Sequence, residues 1–367
     1  MGTIALVMIV KDEERCLKRC LDSVRGLVDR MIVVDTGSQD GTREIACRAE
    51  AEVYDHTWKN DFAEARNYAL SLSDADWNLI LDADEYITEG TRGDMDMFLR
   101  AGDCLGDVYI YNRYQEDGEE SCVRFCASRI LPRGVYFKGK IHEQPDTDLP
   151  SVLVPLKVEH DGYMQTGVKE KRNLPYLLAE LEERPGDPYL LYKIAGSYQT
   201  LGDEERALGF FRIFYKEVSP QAAYRAKGVV GFLYSLMECG QFEEALKIVE
   251  REAERLDGYA SYHFFCGVFY MKLILTDTVR YIGYLPKIER SYLRCLKIGA
   301  EVRDEEDIGA GSYKAAYNLG TWYEVSGDAQ KAEMYYRQAA EVGYRKAQER
   351  LDAVLEAECT VDSIQKI

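Results

Sequence analysis

The first half of the chain alternates short apolar runs with longer segments in which apolar residues recur at helical spacing. Residues 4–10 are all apolar, which is typical of a strand buried on both faces of a parallel sheet. A helix is predicted after it, because small or apolar residues recur at helical spacing: Cys16, Leu17, Cys20, Leu21 and Val24. Further strands are predicted at 31–34, 52–54 and 77–81, and further helices at 42–50 and 62–72. This alternation indicates an α/β fold with a mostly parallel sheet and flanking helices.

The second half, from about residue 169, has a helical pattern that repeats. Matching segments span 187–220, 222–256 and 312–343, and each has two predicted helices joined by a turn that contains glycine. The second helix carries alanine at a matching early position, at Ala207, Ala245 and Ala332. A degenerate copy at 258–300 has an insertion around 276–286. The pattern resembles tetratricopeptide repeats, which usually bind peptide or protein in a groove. The alternative is a scaffold or dimerisation surface without a peptide ligand.

These patterns predict an α/β domain at 1–168, an all-α repeat domain at 169–357 and a C-terminal tail at 358–367. The formal net charge of −18 argues against a nucleic acid or an anionic membrane as the main partner, since both need positive surfaces. The ten cysteines are scattered, as expected of reduced thiols. The apolar run near the N-terminus is short and has no basic stretch ahead of it. We therefore expect a cytoplasmic protein with no integral membrane segment.

Candidate chemistry begins where the last predicted strand ends. The segment NLILDADEYI, residues 78–87, places Asp82, Asp84 and Glu85 directly after an apolar run. Neighbouring carboxylates repel one another unless a positive charge lies between them. A divalent cation binds oxygen ligands and keeps open positions for substrate phosphates, so the D-x-D segment is a candidate cation site at the edge of the sheet.

Asp35 ends an earlier predicted strand, in the segment VVDTGSQDGT. The glycine- and serine-containing turn that follows leaves its carboxylate able to accept hydrogen bonds from a base or a ribose. The alternative is a helix N-cap or an Asx turn, a role that suits Asp40 better than Asp35.

Four motifs in this order resemble the amino-terminal domain of family 2 glycosyltransferases: MIVKDEERCLKRCLDSV, MIVVDTGSQDGT, WKNDFAEARNYAL and NLILDADEYI. The resemblance covers about residues 3–165. It implies the GT-A fold and an inverting transfer from a nucleotide-diphosphate sugar, for which a UDP-sugar is the expected donor. It also implies Mg²⁺ or Mn²⁺ as a cofactor.

The same resemblance implies roles for individual residues. The residues expected at the nucleotide-sugar are Val10, Lys11, Asp12, Glu13, Asp35, Arg66, Asn67, Asp82 and Ala83. Among them, Asp35 is expected to meet the uracil and Asp82 the ribose or the sugar. Asp84 is expected to contact the metal and the diphosphate. Taken by itself, Arg66 could equally form a surface ion pair with a helix neighbour such as Glu64.

Two of the four histidines fall in the later part of this domain, in YFKGKIHEQP and VPLKVEHDGY. By the resemblance, Glu143 takes the position of the carboxylate that activates the acceptor. His160 takes the position at which a third metal ligand closes the site, and histidine is a common ligand for such ions. The alternatives are a hydrogen-bonded core position for His142 and an ordinary loop position for His160.

These roles predict a single in-line displacement, in which Glu143 takes the proton of the acceptor and the anomeric carbon inverts. A family 2 domain joined to tetratricopeptide repeats resembles enzymes that glycosylate peptides or proteins, on serine or threonine hydroxyls or on cysteine thiols. The alternatives are transfer to a lipid-linked or lipopolysaccharide-core sugar, and a scaffold whose transferase domain has lost activity. The tail is too short to cap the repeats by itself, which is compatible with a homodimer.

Overall fold

The computed structural model describes residues 2–100, 102–116, 119–141, 143–160, 168–299, 306–307 and 309–364. The chain divides into two compact units. The first comprises Met1–Gln115 and Arg124–Pro185, and the second comprises Glu116–Val123 and Gly186–Ile367. Within the described ranges, no helix is both long and apolar enough to cross a membrane.

The first unit is an α/β sheet with flanking helices. Its strands are β1 (Ile4–Val10), β2 (Arg30–Asp35), β3 (Glu52–Asp55), β4 (Trp77–Ile80), β5 (Glu85–Glu89), β6 (Leu105–Glu116), β7 (Glu119–Pro132), β8 (Phe137–Lys138), β9 (Gln144–Pro145) and β10 (Ser151–His160). Its helices are α1 (Leu17–Ser23), α2 (Thr42–Arg48), α3 (Phe62–Ser71), α4 (Arg92–Leu99) and α5 (Val168–Glu183). The order of the main sheet is β3-β2-β1-β4-β7-β6-β10-β5, and β8 pairs with β9.

The first four strands of the sheet are parallel, and the rest of the sheet is mixed, with β6 and β10 also paired in parallel. Strands β2, β1 and β4 run side by side in parallel, whereas β7 pairs antiparallel with β4 and β5 pairs antiparallel with β10. The uninterrupted apolar run of β1 is divided between two cores, as a residue period of two requires. Ile4, Leu6 and Met8 pack into one core and Ala5 and Val7 into the other. The predicted α/β class is therefore confirmed.

The second unit is built from helices: α6 (Pro188–Thr200), α7 (Glu204–Glu217), α8 (Arg225–Glu238), α9 (Phe242–Glu252), α10 (Ala260–Thr276), α11 (Thr278–Tyr281), α12 (Leu285–Ile298), α13 (Tyr313–Val325), α14 (Ala329–Ala340) and α15 (Arg345–Ile364). A 3₁₀ turn, Ile282–Tyr284, precedes α12, and a two-residue strand β11 lies at Glu306–Asp307. The pairs α6–α7, α8–α9 and α13–α14 are the three predicted repeats. The insertion in the degenerate copy forms α11 and the 3₁₀ turn.

The turns of the three repeats share one conformation. Gly202, Gly240 and Gly327 have φ of 76°, 72° and 82°, which is the left-handed region that glycine enters without a steric penalty. After the first and third of these glycines, Asp203 and Asp328 accept hydrogen bonds from the first turn of the next helix. The three alanines at the matching position, Ala207, Ala245 and Ala332, are fully buried, as the repeat pattern predicts.

Two boundaries differ from those expected. Helix α5 begins at Val168 as predicted, but it belongs to the first unit, so that unit extends to Pro185 rather than to residue 168. Its side chains explain this, because Tyr176 Oη donates to Asn60 Oδ1 at 3.1 Å and Glu183 accepts from Lys140 at 2.6 Å. At the other end, α15 continues to Ile364, into the segment that we expected to be a tail.

Close helix crossings in the second unit depend on glycine. An added Cβ on Gly320 of α13 would lie 2.6 Å from the Tyr336 ring of α14, whereas a Cβ on Gly196 of α6 would meet nothing within 4 Å. We therefore expect Gly320→Ala to destabilise the protein by about 1–3 kcal/mol, the usual cost of overpacking a core. The control Gly196→Ala should be stabilising by about 0.5–1 kcal/mol, because alanine favours a helix interior. Urea unfolding checks both, and equal effects would contradict this account of the crossing.

A buried ion pair joins α8 and α9. Both carboxylate oxygens of Glu252 accept hydrogen bonds from Arg225 at 2.8 Å, and Oε1 also accepts from Tyr215 at 2.6 Å. Burial alone would raise the pKa of Glu252, but these hydrogen bonds and the Arg225 charge lower it to about 2. A carboxyl with a lowered pKa stabilises the fold above its unfolded pKa, and the stabilisation is lost as the pH falls through the folded value.

Glu252→Gln should therefore reduce the free energy of unfolding by about 3–5 kcal/mol at pH 7, because it leaves Arg225 buried without a counter-charge. The difference from the wild type should shrink as the pH falls from about 4.5 to about 2. The exposed pair Arg212–Glu244 supplies the control, since Glu244→Gln should cost at most about 1 kcal/mol. Urea unfolding across this pH range measures both. If the difference in the free energy of unfolding between the wild type and Glu252→Gln stays constant from pH 7 to pH 2, the assigned role of Glu252 is refuted.

Candidate active site

The ends of the parallel strands bring the predicted motifs to one edge of the sheet. In the register, Val10 of β1 pairs with Asp35 of β2, and Val7 pairs with Ile80 near the end of β4. The loops after these strands therefore begin side by side, where ligands bind in open α/β sheets. The side chain of Val10 itself is buried in the core, and its carbonyl oxygen accepts hydrogen bonds from Thr36.

The loop after β1 is tied to the loop after β2 by hydrogen bonds in both directions. Asp12 N donates to Ser38 Oγ at 2.9 Å, and Asp12 Oδ1 accepts from Gln39 N at 2.7 Å. The backbone of Asp12 has φ of 56°, a left-handed conformation that aspartate tolerates better than most residues. Glu13 N donates to Thr42 Oγ1 at 2.7 Å. These contacts hold the predicted nucleotide-bordering loop in one shape, with Lys11 exposed.

Asp35 is buried and forms the turn that follows β2. Its Oδ1 accepts hydrogen bonds from Gly37 N and Ser38 N, both at 2.8 Å, which is Asx-turn geometry. Its Oδ2 lies 3.5 Å from Arg43 Nη1 and accepts no hydrogen bond from the described residues. Asp35 therefore forms an Asx turn, which was the alternative to its contact with the uracil. Its Oδ2 still accepts no hydrogen bond from the described residues.

Arg66 lies between two carboxylates of the acidic cluster, which consists of Asp82, Asp84, Glu85 and Glu143. It is buried on α3, where Nη2 donates to Asp82 Oδ1 at 2.6 Å and Nε donates to Glu143 Oε1. Burial by itself would lower the pKa of Arg66, but the charges of Asp82 and Glu143 raise it, so the guanidinium stays charged. The surface ion pair with Glu64 does not form, because Glu64 instead bonds His56 and Lys59.

A second arginine, Arg129 of β7, reaches the same cluster from the other side. Its Nη2 donates to Glu85 Oε1 and lies 3.5 Å from Asp82 Oδ2. Burial raises the pKa of Glu85 and the neighbouring Asp82 adds to the effect, while Arg129 opposes it. Arg129 was not predicted from the sequence, although a lone arginine between the apolar and small residues of CASRIL is a usable signal.

Asn67, the neighbour of Arg66, has a structural contact that we did not predict. Its Nδ2 donates to the carbonyl of Phe137 at 2.9 Å, and its Oδ1 accepts from Phe137 N at 2.8 Å. The amide therefore holds β8 against α3 rather than pointing into the acidic cluster. Because Glu143 follows β8 by a few residues, this contact also helps to place Glu143 beside Arg66.

His160 ends β10 in the row of the sheet that also contains Asn112 of β6 and Glu85 of β5. It is buried, with Nδ1 2.8 Å from Asn112 Oδ1 and Nε2 3.0 Å from Asp84 Oδ2. An ordinary loop position for His160 is therefore wrong. Asn112 was not predicted, and its contact orients the imidazole toward Asp84. His142 and residues 161–163 lie outside the described residues.

The Asp84–His160 pair fits a divalent cation whose remaining ligands come from the substrate. No group of three or more His, Cys, Asp or Glu side chains suited to hold a metal ion occurs in the described part of the chain. Mg²⁺ is usually bound through one or two carboxylates together with substrate phosphates and water.

Two other residues expected at the nucleotide-sugar, Ala83 and Glu13, lie nearby. The Ala83 side chain is buried in the core. Burial raises the pKa of Glu13, and the nearby charges of Asp84 and Asp82 add to that shift, so negative charge is concentrated here.

The amino-terminal part of the chain matches a family of glycosyltransferases. The model of the family described as glycosyl transferase family 2 matches residues 5–121. These residues contain nearly all of the four parallel strands, helix α3 with Arg66, and the segment with Asp82, Asp84 and Glu85. The chain thus has an amino-terminal region that matches family 2 glycosyltransferases, followed by helical repeats similar to tetratricopeptide repeats.

Two curated relatives align with more than half of this chain. A protein of Synechococcus elongatus described as a TPR repeat-containing protein is 30% identical over 244 residues, which are 61% of this chain and 59% of that one. The glycosyltransferase SunS of a Bacillus subtilis prophage is 30% identical over 227 residues, 57% of this chain and 52% of that one. The chain thus spans between half and three fifths of the length of these relatives. Among solved structures, MamA aligns with a TM-score of 0.38 and 18% identity, over 51% of this chain and 99% of that one.

Proposed function

We propose that this protein is a metal-dependent, inverting glycosyltransferase that moves a sugar from a UDP-sugar to a side chain of a peptide or protein. The observation that carries this proposal is the cluster of Asp82, Asp84, Arg66, Glu143 and His160 at the edge where the parallel strands end. The family 2 match supports the donor chemistry, because it covers the loops that form this edge.

The chain's own groups divide into a donor side and an acceptor side. Asp82 keeps 37% of its side chain exposed despite its contact with Arg66, so its carboxylate is open to a donor hydroxyl. Asp84 and His160 would hold Mg²⁺ or Mn²⁺, which when bound neutralises the charge that develops on the departing diphosphate. Glu143 would take the proton from the acceptor as the acceptor oxygen or sulfur attacks the anomeric carbon from the opposite side.

A peptide or protein acceptor is supported by the second unit. Its repeats resemble arrays that usually bind extended polypeptides, and both a glycosyltransferase and a protein with tetratricopeptide repeats are among the relatives. The acceptor side chain is a serine or threonine hydroxyl or a cysteine thiol.

The donor reaction is tested by UDP release from a panel of UDP-sugars with Mn²⁺. The wild type should hydrolyse one donor slowly, and Asp84→Asn should abolish this metal-dependent release without lowering Tm. The amide keeps a hydrogen bond to His160 but loses the charge that attracts the cation. Asp146→Asn is the control, because Asp146 is an exposed aspartate of the same unit that pairs with Lys138. Metal-dependent release that persists in Asp84→Asn would exclude Asp84 as a metal ligand.

The role of Glu143 is tested with the donor found in this way and with peptides that carry a single Ser, Thr or Cys. Glu143→Gln should retain UDP binding but lose about 10²–10⁴-fold in transfer to a hydroxyl, the usual contribution of a general base. The loss should be smaller for a thiol, whose pKa of about 8.5 lies nearer to neutrality. Glu183→Gln, at an exposed position that pairs with Lys140, is the control. Loss of UDP binding in Glu143→Gln would count against its assignment as the base.

A further inference from the structure

Arg129 reaches the candidate active site because β7 runs antiparallel to β4. In the register, Leu79 of β4 pairs with Ile130 of β7, so Arg129 stands one position further toward the end of β4 at which the acidic loop begins. Its side chain is 14% exposed. There its Nη2 donates to Glu85 Oε1 and faces Asp82 Oδ2 at 3.5 Å.

Glu85 transmits this ion pair to the backbone of the D-x-D segment. Its Oε2 accepts a hydrogen bond from Asp82 N at 3.0 Å, and its own N–H donates to the Asp82 carbonyl at 3.0 Å. One carboxylate of Glu85 therefore binds Arg129 with one oxygen and the Asp82 backbone with the other. Arg129 holds both the side chain and, through Glu85, the main chain of Asp82.

We propose that Arg129 is a positioning residue for the donor, which acts by fixing the orientation of the Asp82 carboxylate and the path of the Asp82–Asp84 loop. This inference rests on the proposed function, in which Asp82 and Asp84 face the UDP-sugar. Asp82 has Arg66 on Oδ1 and Arg129 on Oδ2, so its plane cannot rotate without breaking a charged contact. A group held in its bound orientation before the ligand arrives loses less entropy on binding.

The Arg225–Glu252 pair shows what a buried pair without this role looks like. Glu252 is 1% exposed and all its described partners lie within the helical unit, so it presents no oxygen to a ligand. Asp82, between its two arginines, keeps more than a third of its side chain open. Loss of Arg225 should therefore reduce stability alone, whereas loss of Arg129 should reduce both stability and donor affinity.

The decisive experiment separates these two effects with paired substitutions in the full chain. Arg129→Met should weaken UDP binding in the presence of Mn²⁺ by about tenfold or more, and raise the donor KM by a similar factor with kcat little changed. The double variant Arg129→Met/Glu85→Gln removes both charges of the pair and should recover much of the Tm without recovering UDP affinity. Arg225→Met should lower Tm and leave the Kd for UDP unchanged within about twofold.

Three results would overturn the proposal. The first is UDP affinity in Arg129→Met within about twofold of the wild type, and the second is affinity in the double variant that recovers together with Tm. If Arg129→Met does not fold, the double variant and Arg129→Lys, which keeps the charge with a single donor nitrogen, give the same test. The third is a crystal structure of the double variant in which the Asp82 carboxylate has not moved.

The crystal structure also separates this proposal from the proposed function. A wild type that binds no UDP with Mn²⁺ would refute the donor assignment. The position of Asp82 in the double variant would still decide whether Arg129 holds it. Loss of the Arg129 contacts with Asp82 and Glu85 should displace the Asp82 carboxylate by about 1 Å or more.

Discussion

The candidate site depends on the sharing of Asp82 between two arginines, one of them buried and the other largely so. Several carboxylates converge at the edge of the sheet, and burying unpaired charges of one sign costs several kcal/mol per ion. Arg66 comes from α3 and Arg129 from β7, and each binds one further carboxylate, Glu143 and Glu85 respectively. The acidic loop can therefore lie in one compact arrangement without a metal ion, while Asp84 stays available beside His160.

Arg66 also links two groups that the proposed mechanism assigns to different substrates. Its guanidinium connects Asp82, which we propose faces the donor, with Glu143, which we propose faces the acceptor. Buried Nη1 of Arg66 and Nε of Arg129 have no hydrogen-bond partner among the described residues.

The helical unit uses the same kinds of interaction for a different purpose. Its buried Arg225–Glu252 pair is closed by Tyr215 and stabilises the junction of α8 and α9. Its glycines permit the tight turns of the repeats and the close approach of a neighbouring aromatic ring, as at Gly320 and Tyr336. Each repeat contacts mainly its neighbours, as in other helical repeat arrays.

The sequence by itself determined the four parallel strands, the helical repeats and the motifs of the candidate site. An uninterrupted apolar run located β1, and helical period together with glycine-containing turns located the repeats, because burial and left-handed backbone leave local signals. Helix α4 and strands β5 to β10 were not predicted. The D-x-D segment and Arg66 were identifiable from motifs. The tertiary structure decided the partners: Arg129, Asn112 and the Glu85 contact come from strands distant in sequence, and only the antiparallel placement of β7 beside β4 and the β6–β10–β5 register bring them together. The tertiary structure also places α5 in the first unit and Asn67 against Phe137. Neither could be predicted, because long-range packing leaves no periodic pattern within a single segment.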